Sequence, residues 1–255
     1  MKQYQAVEKI SQAIINDQMA EAIFLKGSLA RKEEDEFSDV DFYVIVEESH
    51  LQQFLQKRLE YLKSYGPIMH FFETNFVGPQ IVCIFEDGLH FDLYVTTLDR
   101  INHFDQIAII YDPKHLLDKY QKMPLALSNN EIANIIHSFC FTVIEFQAAH
   151  ERKDFIFAFR LAHHMLADLG CYVRTIVDPE HAKIGLKRFH KMLKEPYLTK
   201  YLEIVQSLRF DNYLLSVKLM MTYFDNLINN VPLRIAEFIN FDFFQYSKKI
   251  IMGME

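Results

Sequence analysis

Residues 27–44 read GSLARKEEDEFSDVDFYV. At the end of this stretch Asp39, Asp41 and Tyr43 alternate with Val40, Phe42 and Val44, and Val46 continues the apolar series. Side chains two apart on a strand share a face. The alternation therefore predicts a strand over Asp39–Val46 with two carboxylates side by side on its polar face. Neighbouring carboxylates repel unless a cation compensates them. Hard oxygen ligands suit Mg2+, which is commonly held by one or two carboxylates and completed by substrate phosphates.

The start of the stretch points the same way. Ala22–Lys26 is a short apolar strand, and Gly27-Ser28 breaks it. LARKEEDEF then reads as a helical turn or loop. Backbone N–H groups at such a turn, where a helix begins, can cradle phosphate oxygens. Glycine lets the backbone approach closely. Ser28 adds a hydroxyl, and Arg31 a guanidinium able to meet a phosphate.

Asp92 supplies a third carboxylate. In Leu89–Val95, Leu89, Phe91, Leu93 and Val95 form one face and His90, Asp92 and Tyr94 the other. A mid-strand acid is expensive to bury unless it is paired or ligates a metal. If the strands are neighbours, Asp39, Asp41 and Asp92 meet on one polar face, flanked by Tyr43 and Tyr94.

Working outward, residues 4–17 place Val7, Ile10, Ile14 and Ile15 at helical spacing. Residues 49–64 predict a second helix, with Ser49 as N-cap and Gln52 at the capping-box position. Gln80–Glu86 and Leu89–Val95 flank Asp87-Gly88, a strong hairpin signal. Ala108–Tyr111 is one more strand. From about residue 129 strand signals vanish. Helical periodicity runs over 130–152, 154–177, 180–194, 197–208, 212–229 and 234–250. The fold class is α+β: an N-terminal mixed β-sheet domain with flanking helices over 1–125, then a C-terminal α-helical bundle over 126–255. The boundary falls in Lys122–Asn130, where Ser128 is a capping candidate.

Composition narrows the function. The chain has 255 residues, half of them hydrophobic and 24% charged, as in an ordinary globular protein. Residues 1–125 carry 12 Lys and Arg against 20 Asp and Glu. That acidic half suits cations and makes a poor binder of nucleic acid, whose affinity rests on Lys and Arg. Cys83, Cys140 and Cys171 lie far apart in apolar runs without metal-binding spacing, so they read as buried thiols in a reducing compartment. The charged N-terminal stretch is no signal peptide. No run of about 18 uncharged apolar residues predicts a membrane span. The expected location is cytoplasmic.

Gly-Ser, a spacer of about ten residues, Asp-x-Asp on a strand and a later strand Asp resemble the signature of the polymerase-β-like nucleotidyltransferases. GSLARKEEDEFSDVDFYV is most similar to their antibiotic-modifying branch, the lincosamide and aminoglycoside enzymes. The motif resemblance covers residues 22–112; the helical half resembles those enzymes in architecture alone. Lys32 departs from the pattern, since many relatives have Gly there. The resemblance implies a transferase that moves a nucleoside monophosphate, AMP from ATP, to a hydroxyl of a small-molecule antibiotic and releases pyrophosphate. It implies two Mg2+ ions on Asp39, Asp41 and Asp92, with Asp92 near the acceptor hydroxyl, and a triphosphate held by Gly27, Ser28 and Arg31. A homodimer is a further expectation from relatives; neither a nucleic-acid nor a membrane partner is expected.

Three features of the helical half stay open at this level. Glu145, among apolar neighbours on the helix 130–152, is a second candidate base or a carboxylate paired with Arg160. His163-His164 sit about 100° apart on a helix and are poorly placed to chelate one metal. Arg174-x6-His181 fits a spacing found in helical ribonucleases of toxin–antitoxin systems. That spacing keeps open an alternative in which the same catalytic domain transfers AMP to a partner protein.

Overall fold

The computed structural model describes residues 1–75 and 78–255. The chain folds into two compact units, 1–124 and 125–255.

Unit 1 is a six-stranded mixed sheet with helices. In chain order it runs α1 (Lys2–Asn16), β1 (Ala20–Leu25), α2 (Gly27–Arg31), β2 (Val40–Val46), α3 (Leu51–Lys63), β3 (Ile68–Thr74), β4 (Gln80–Phe85), β5 (His90–Thr96) and β6 (Ala108–Tyr111). The strand order is β3-β4-β5-β2-β1-β6. Among the described strands of this sheet, β2 and β5 pair in parallel and the other neighbours antiparallel. The alternation in the sequence decides which side is buried. Val40, Phe42 and Val44 of β2, Phe91, Leu93 and Val95 of β5 and Ile23 and Leu25 of β1 form a core with Ile10 and Ile14 of α1 and Phe54 and Leu62 of α3. Burying each such large side chain stabilises by roughly 1.5–3 kcal/mol. The opposite face carries Asp41, Tyr43, Asp92 and Tyr94, and beside them a small cluster of Ala22, Phe24, Ile45 and Leu117.

Two expectations need correction here. β3 has no counterpart in the sequence reading. It is an edge strand on which Met69, Phe71 and Phe72 are all exposed, so its residues do not alternate between buried and solvated sides. Ser49 does not cap α3. A 3-10 turn over Glu48–His50 precedes the helix, the N-cap is His50 without a side-chain bond, and Ser49 Oγ lies 3.5 Å from Glu47 instead. The Asp87-Gly88 turn closes the expected β4–β5 hairpin, with Gly88 N–H donating to Phe85 O at 2.9 Å and positive φ at Gly88 but not at Asp87.

Unit 2 is helical: α4 (Asn129–Glu151), α5 (Phe155–Val177), α6 (Phe189–Met192), α7 (Tyr197–Ser207), α8 (Tyr213–Ile228), α9 (Leu233–Ala236) and α10 (Phe241–Gly253). Ser128 caps α4 in a full capping box with Glu131. α4 is the one helix among the described residues long and apolar enough to cross a membrane. Its Ile136, Phe139, Val143 and Phe146 are buried in the core of the unit with Met165, Leu169 and Phe224.

The single helix expected over 180–194 is instead a 3-10 turn, Pro179–Ile184, and the short α6. Positive φ at Gly185 and Arg188 breaks it. Arg174 of α5, 1% exposed, donates to the carbonyls of Gly185 and Lys187, both at 2.7 Å, and so holds the broken segment on α5. The helix expected over 234–250 is likewise split into α9 and α10. Asn240 caps α10 by accepting from Phe243 N–H at 3.0 Å.

Candidate active site

The register of β2 against β5 sets Asp41 directly opposite Asp92 and Tyr43 opposite Tyr94. Asp39 lies just before β2, close enough for its charge to act on Asp92. Asp92 is only 8% exposed. Burial pushes its carboxyl above the usual range; the neighbouring His90, whose Nε2 is 3.1 Å from Asp92 Oδ1, opposes this, and the charge of Asp39 adds to it. One rung further, Tyr43 stacks on Tyr94 with ring centroids 4.3 Å apart and planes 7° apart. Phe24 of β1 stacks on Tyr43 at 5.1 Å. The two tyrosines thus form a rigid aromatic floor beside the acids, and burial raises both phenols.

The Gly27-Ser28 turn is seated on this face. Gly27 has φ +66°, and a β-carbon built on it would stand 2.0 Å from Asp41 Oδ2. Only glycine combines that dihedral with that approach. The N–H of Lys26 donates to the Asp41 carbonyl at 3.0 Å. Ser28 Oγ is buried without a hydrogen-bond partner among the described residues. A buried hydroxyl left unsatisfied is costly in a finished structure and is the kind of group a ligand oxygen satisfies. Arg31, expected at a phosphate, is held by Glu33 at 2.9 Å and by Asp105.

Among the described residues no group of three His, Cys, Asp or Glu side chains is placed to hold a metal ion by itself. The facing carboxylates of Asp41 and Asp92 with Asp39 beside them are a hard-oxygen donor set. This suits Mg2+, which keeps several ligands for water and substrate phosphates. The unsatisfied Ser28 hydroxyl is consistent with a phosphate-bearing substrate at the same place.

Lys26 is the residue the sequence reading passed over. It is 8% exposed. Burial lowers its pKa to about 8, against the opposing charges of Asp105 and Asp41. Its ammonium donates to the carbonyls of Asn102 at 2.5 Å and Phe104 at 3.0 Å and lies over the rings of Tyr43 and Tyr120. A lysine ending a buried strand immediately before Gly-Ser was the available signal.

In unit 2, Glu145 is exposed on α4 between buried Val143 and Phe146, although its neighbours in sequence are apolar. One turn of helix carries its neighbours inward and this position outward. His163 packs on Phe159 with centroids 4.5 Å apart, and His164 faces Asp168 at 3.9 Å. Arg174 and His181 both grip Asp178, each at 2.8 Å. Their spacing thus has a structural cause, the tie between the end of α5 and the turn that follows.

A family model described as streptomycin adenylyltransferase matches residues 1–252. No curated protein matches the chain. Among solved structures, an aminoglycoside 6-adenyltransferase from Bacillus subtilis aligns with 98% of this chain and 97% of its own, at 13% identity and a TM-score of 0.42. With the family model spanning almost the whole length, this chain belongs to the streptomycin adenylyltransferase family and is an adenylyltransferase.

Proposed function

We propose that the protein transfers AMP from ATP to a hydroxyl of an aminoglycoside or lincosamide antibiotic in the cytoplasm, with Mg2+ and with release of pyrophosphate. The observation that carries this reading is the facing pair Asp41 and Asp92 beneath a turn whose glycine touches Asp41 and whose serine hydroxyl is unsatisfied. The family match supports the same reaction class.

Asp39, Asp41 and Asp92 would hold Mg2+, which when bound supplies the positive charge that neutralises phosphate oxygens during displacement. The turn at Gly27 and Ser28 orients the triphosphate, and Arg31 lies one turn of helix further on. The acceptor oxygen attacks the α-phosphorus as the bond from that phosphorus to the bridging oxygen breaks and pyrophosphate leaves. The proton of the acceptor hydroxyl passes to the carboxylate of Asp92. Asp41, at the facing position, is left to the metal.

The test is incubation with Mg2+, ATP and a panel of aminoglycosides and lincosamides, followed by mass spectrometry for an AMP adduct. Transfer to at least one antibiotic, abolished in Asp41→Asn, is the expected result. Absence of an adduct on every antibiotic, with labelling of a protein in lysate instead, overturns the small-molecule assignment.

A further inference from the structure

The residues on either side of the Gly27-Ser28 turn converge on one segment, 102–106. Before the turn, Lys26 Nζ donates to the carbonyls of Asn102 and Phe104. After it, Arg31 pairs with Asp105, and the side-chain amide of Gln106 donates to the Ala30 carbonyl at 2.7 Å. The segment is itself fixed from behind. The Tyr120 hydroxyl lies 2.9 Å from Phe104 O, and Asp105 N–H donates to Met123 O at 2.8 Å. Asp105 takes the left-handed conformation, φ +72°, and accepts from Gln106 N–H at 2.7 Å. A five-residue helix has little stability of its own, because nucleating a turn fixes several dihedrals for one hydrogen bond. Beyond the Lys26 N–H bond to the Asp41 carbonyl and the burial of Leu29 and Ala30, α2 is held at both ends by this one segment.

We propose that residues 102–106 are a positioning strap that presets the Gly27-Ser28 turn for the triphosphate, with Lys26 and Gln106 as its two pins. The strap rests on the triphosphate reading of that turn given above. Neither pin touches the reacting atoms. Each acts through the backbone of α2, so that the Ser28 hydroxyl and the N–H groups of the turn need no ordering when nucleotide arrives. Preorganisation of this kind appears as affinity, because the entropy of ordering has already been lost on folding.

The test uses the full chain, Mg·ATP as probe, calorimetry for affinity and hydrogen–deuterium exchange over residues 27–31. Lys26→Met removes the ammonium at similar length, and Gln106→Ala removes the second pin at a less buried position. Both are expected to speed exchange over 27–31 and weaken Mg·ATP about tenfold, with Lys26→Arg closer to the parent than Lys26→Met because it keeps the charge and donors. Should Lys26→Met fail to fold, Gln106→Ala carries the test alone. Unchanged exchange over 27–31 in the folded variants overturns the strap. Ser28→Ala separates the two ideas: it should weaken Mg·ATP without changing exchange, and parent-like binding in Ser28→Ala overturns the triphosphate reading itself.

Discussion

A β-carbon on Gly27 would stand 2.0 Å from Oδ2 of Asp41, so the turn after β1 rests directly on the acid at the centre of the candidate site. Real side-chain contacts are never this close. Gly27→Ala must therefore move the turn, the carboxylate or both, and must also hold alanine at φ +66°. The dihedral alone costs on the order of 1–2 kcal/mol. Displacing a catalytic group by about 1 Å costs on the order of a hundredfold in rate. Gly27→Ala is expected to fold, to lose at least 1 kcal/mol in urea denaturation and to lose transfer activity by a hundredfold or more. Parent-like turnover would show that the turn and Asp41 are not coupled.

Asp92 makes the opposite combination. Its folded carboxyl titrates above the unfolded one because burial penalises the charge. A carboxyl raised on folding favours the folded state at low pH. That advantage is lost as pH rises from the unfolded value, about 3.9, through the higher folded one. At neutral pH in the presence of chelator, Asp92→Asn should therefore be as stable as the parent or more so. Its lead should shrink as pH falls through the raised value. With Mg2+ and ATP the same variant should show no transfer. A melting temperature below the parent at pH 7 in chelator would contradict the desolvation account.

The difference between these two sites explains what the sequence reveals. Asp39, Asp41 and Asp92 are legible because strand periodicity is local: alternation with Val40, Phe42, Leu93 and Val95 assigns each acid to a face. That Asp41 sits opposite Asp92 is a matter of register between strands about fifty residues apart, which the pattern permits but does not fix. Lys26 is marked only by its place, a lysine closing an apolar strand before Gly-Ser; its pairing with the 102–106 strap is illegible for the same reason. Its acceptors there are backbone carbonyls, and a carbonyl carries no side-chain signature. β3 escapes because exposure on an edge removes the period of two. The broken helix at 185–188 escapes because Arg174 stabilises the break through tertiary bonds that outweigh helical spacing.

Gly170 marks a close approach in the helical unit. A β-carbon there would meet the Tyr201 hydroxyl at 2.5 Å and Leu186 Cδ2 at 2.7 Å. Tyr201 donates to the Leu166 carbonyl at 3.0 Å, so its ring cannot retreat without breaking that bond. Alanine is the better helix former by roughly 1 kcal/mol at an open site. Overpacking of about 1–3 kcal/mol outweighs that gain here. Gly170→Ala should lower the midpoint of urea unfolding, and Gly170→Ala combined with Tyr201→Phe should recover part of the loss. A stabilised single variant would show that the contact between α5 and α7 yields freely.

The capping box of α4 gives a pH signature. Glu131 is pulled down to about 2, first by the backbone N–H of Ser128 and then by its hydroxyl and by Lys183. A carboxyl lowered on folding contributes stability above its unfolded value, about 4.3, and that contribution is lost as pH falls toward 2. Glu131 is partly exposed, so solvent screens the charged part and the cap itself sets the scale. Ser128→Ala should cost about 1 kcal/mol at pH 7. Glu131→Gln should cost less, with the gap from the parent narrowing below pH 4. A Glu131→Gln deficit that stays constant from pH 7 to pH 3 would show that the carboxylate charge plays no part in the cap.

Lys32 stands where glycine would be the easier residue for its backbone conformation. It terminates α2 in the left-handed region, φ 58° and ψ 40°, with its N–H on the carbonyls of Leu29 and Ser28. That conformation costs an ordinary residue about 1–2 kcal/mol. Glycine removes this strain but enlarges the entropy of the unfolded chain, which takes back roughly 0.5–1 kcal/mol. The balance favours Lys32→Gly by about 0.5 kcal/mol, a shift of about 1–2 °C in melting temperature for a chain of this size. Lys32→Val, with a branched β-carbon in the same conformation, should lose stability instead. The opposite ranking, with valine above glycine, would mean that residue 32 leaves the left-handed region in solution and that α2 ends differently.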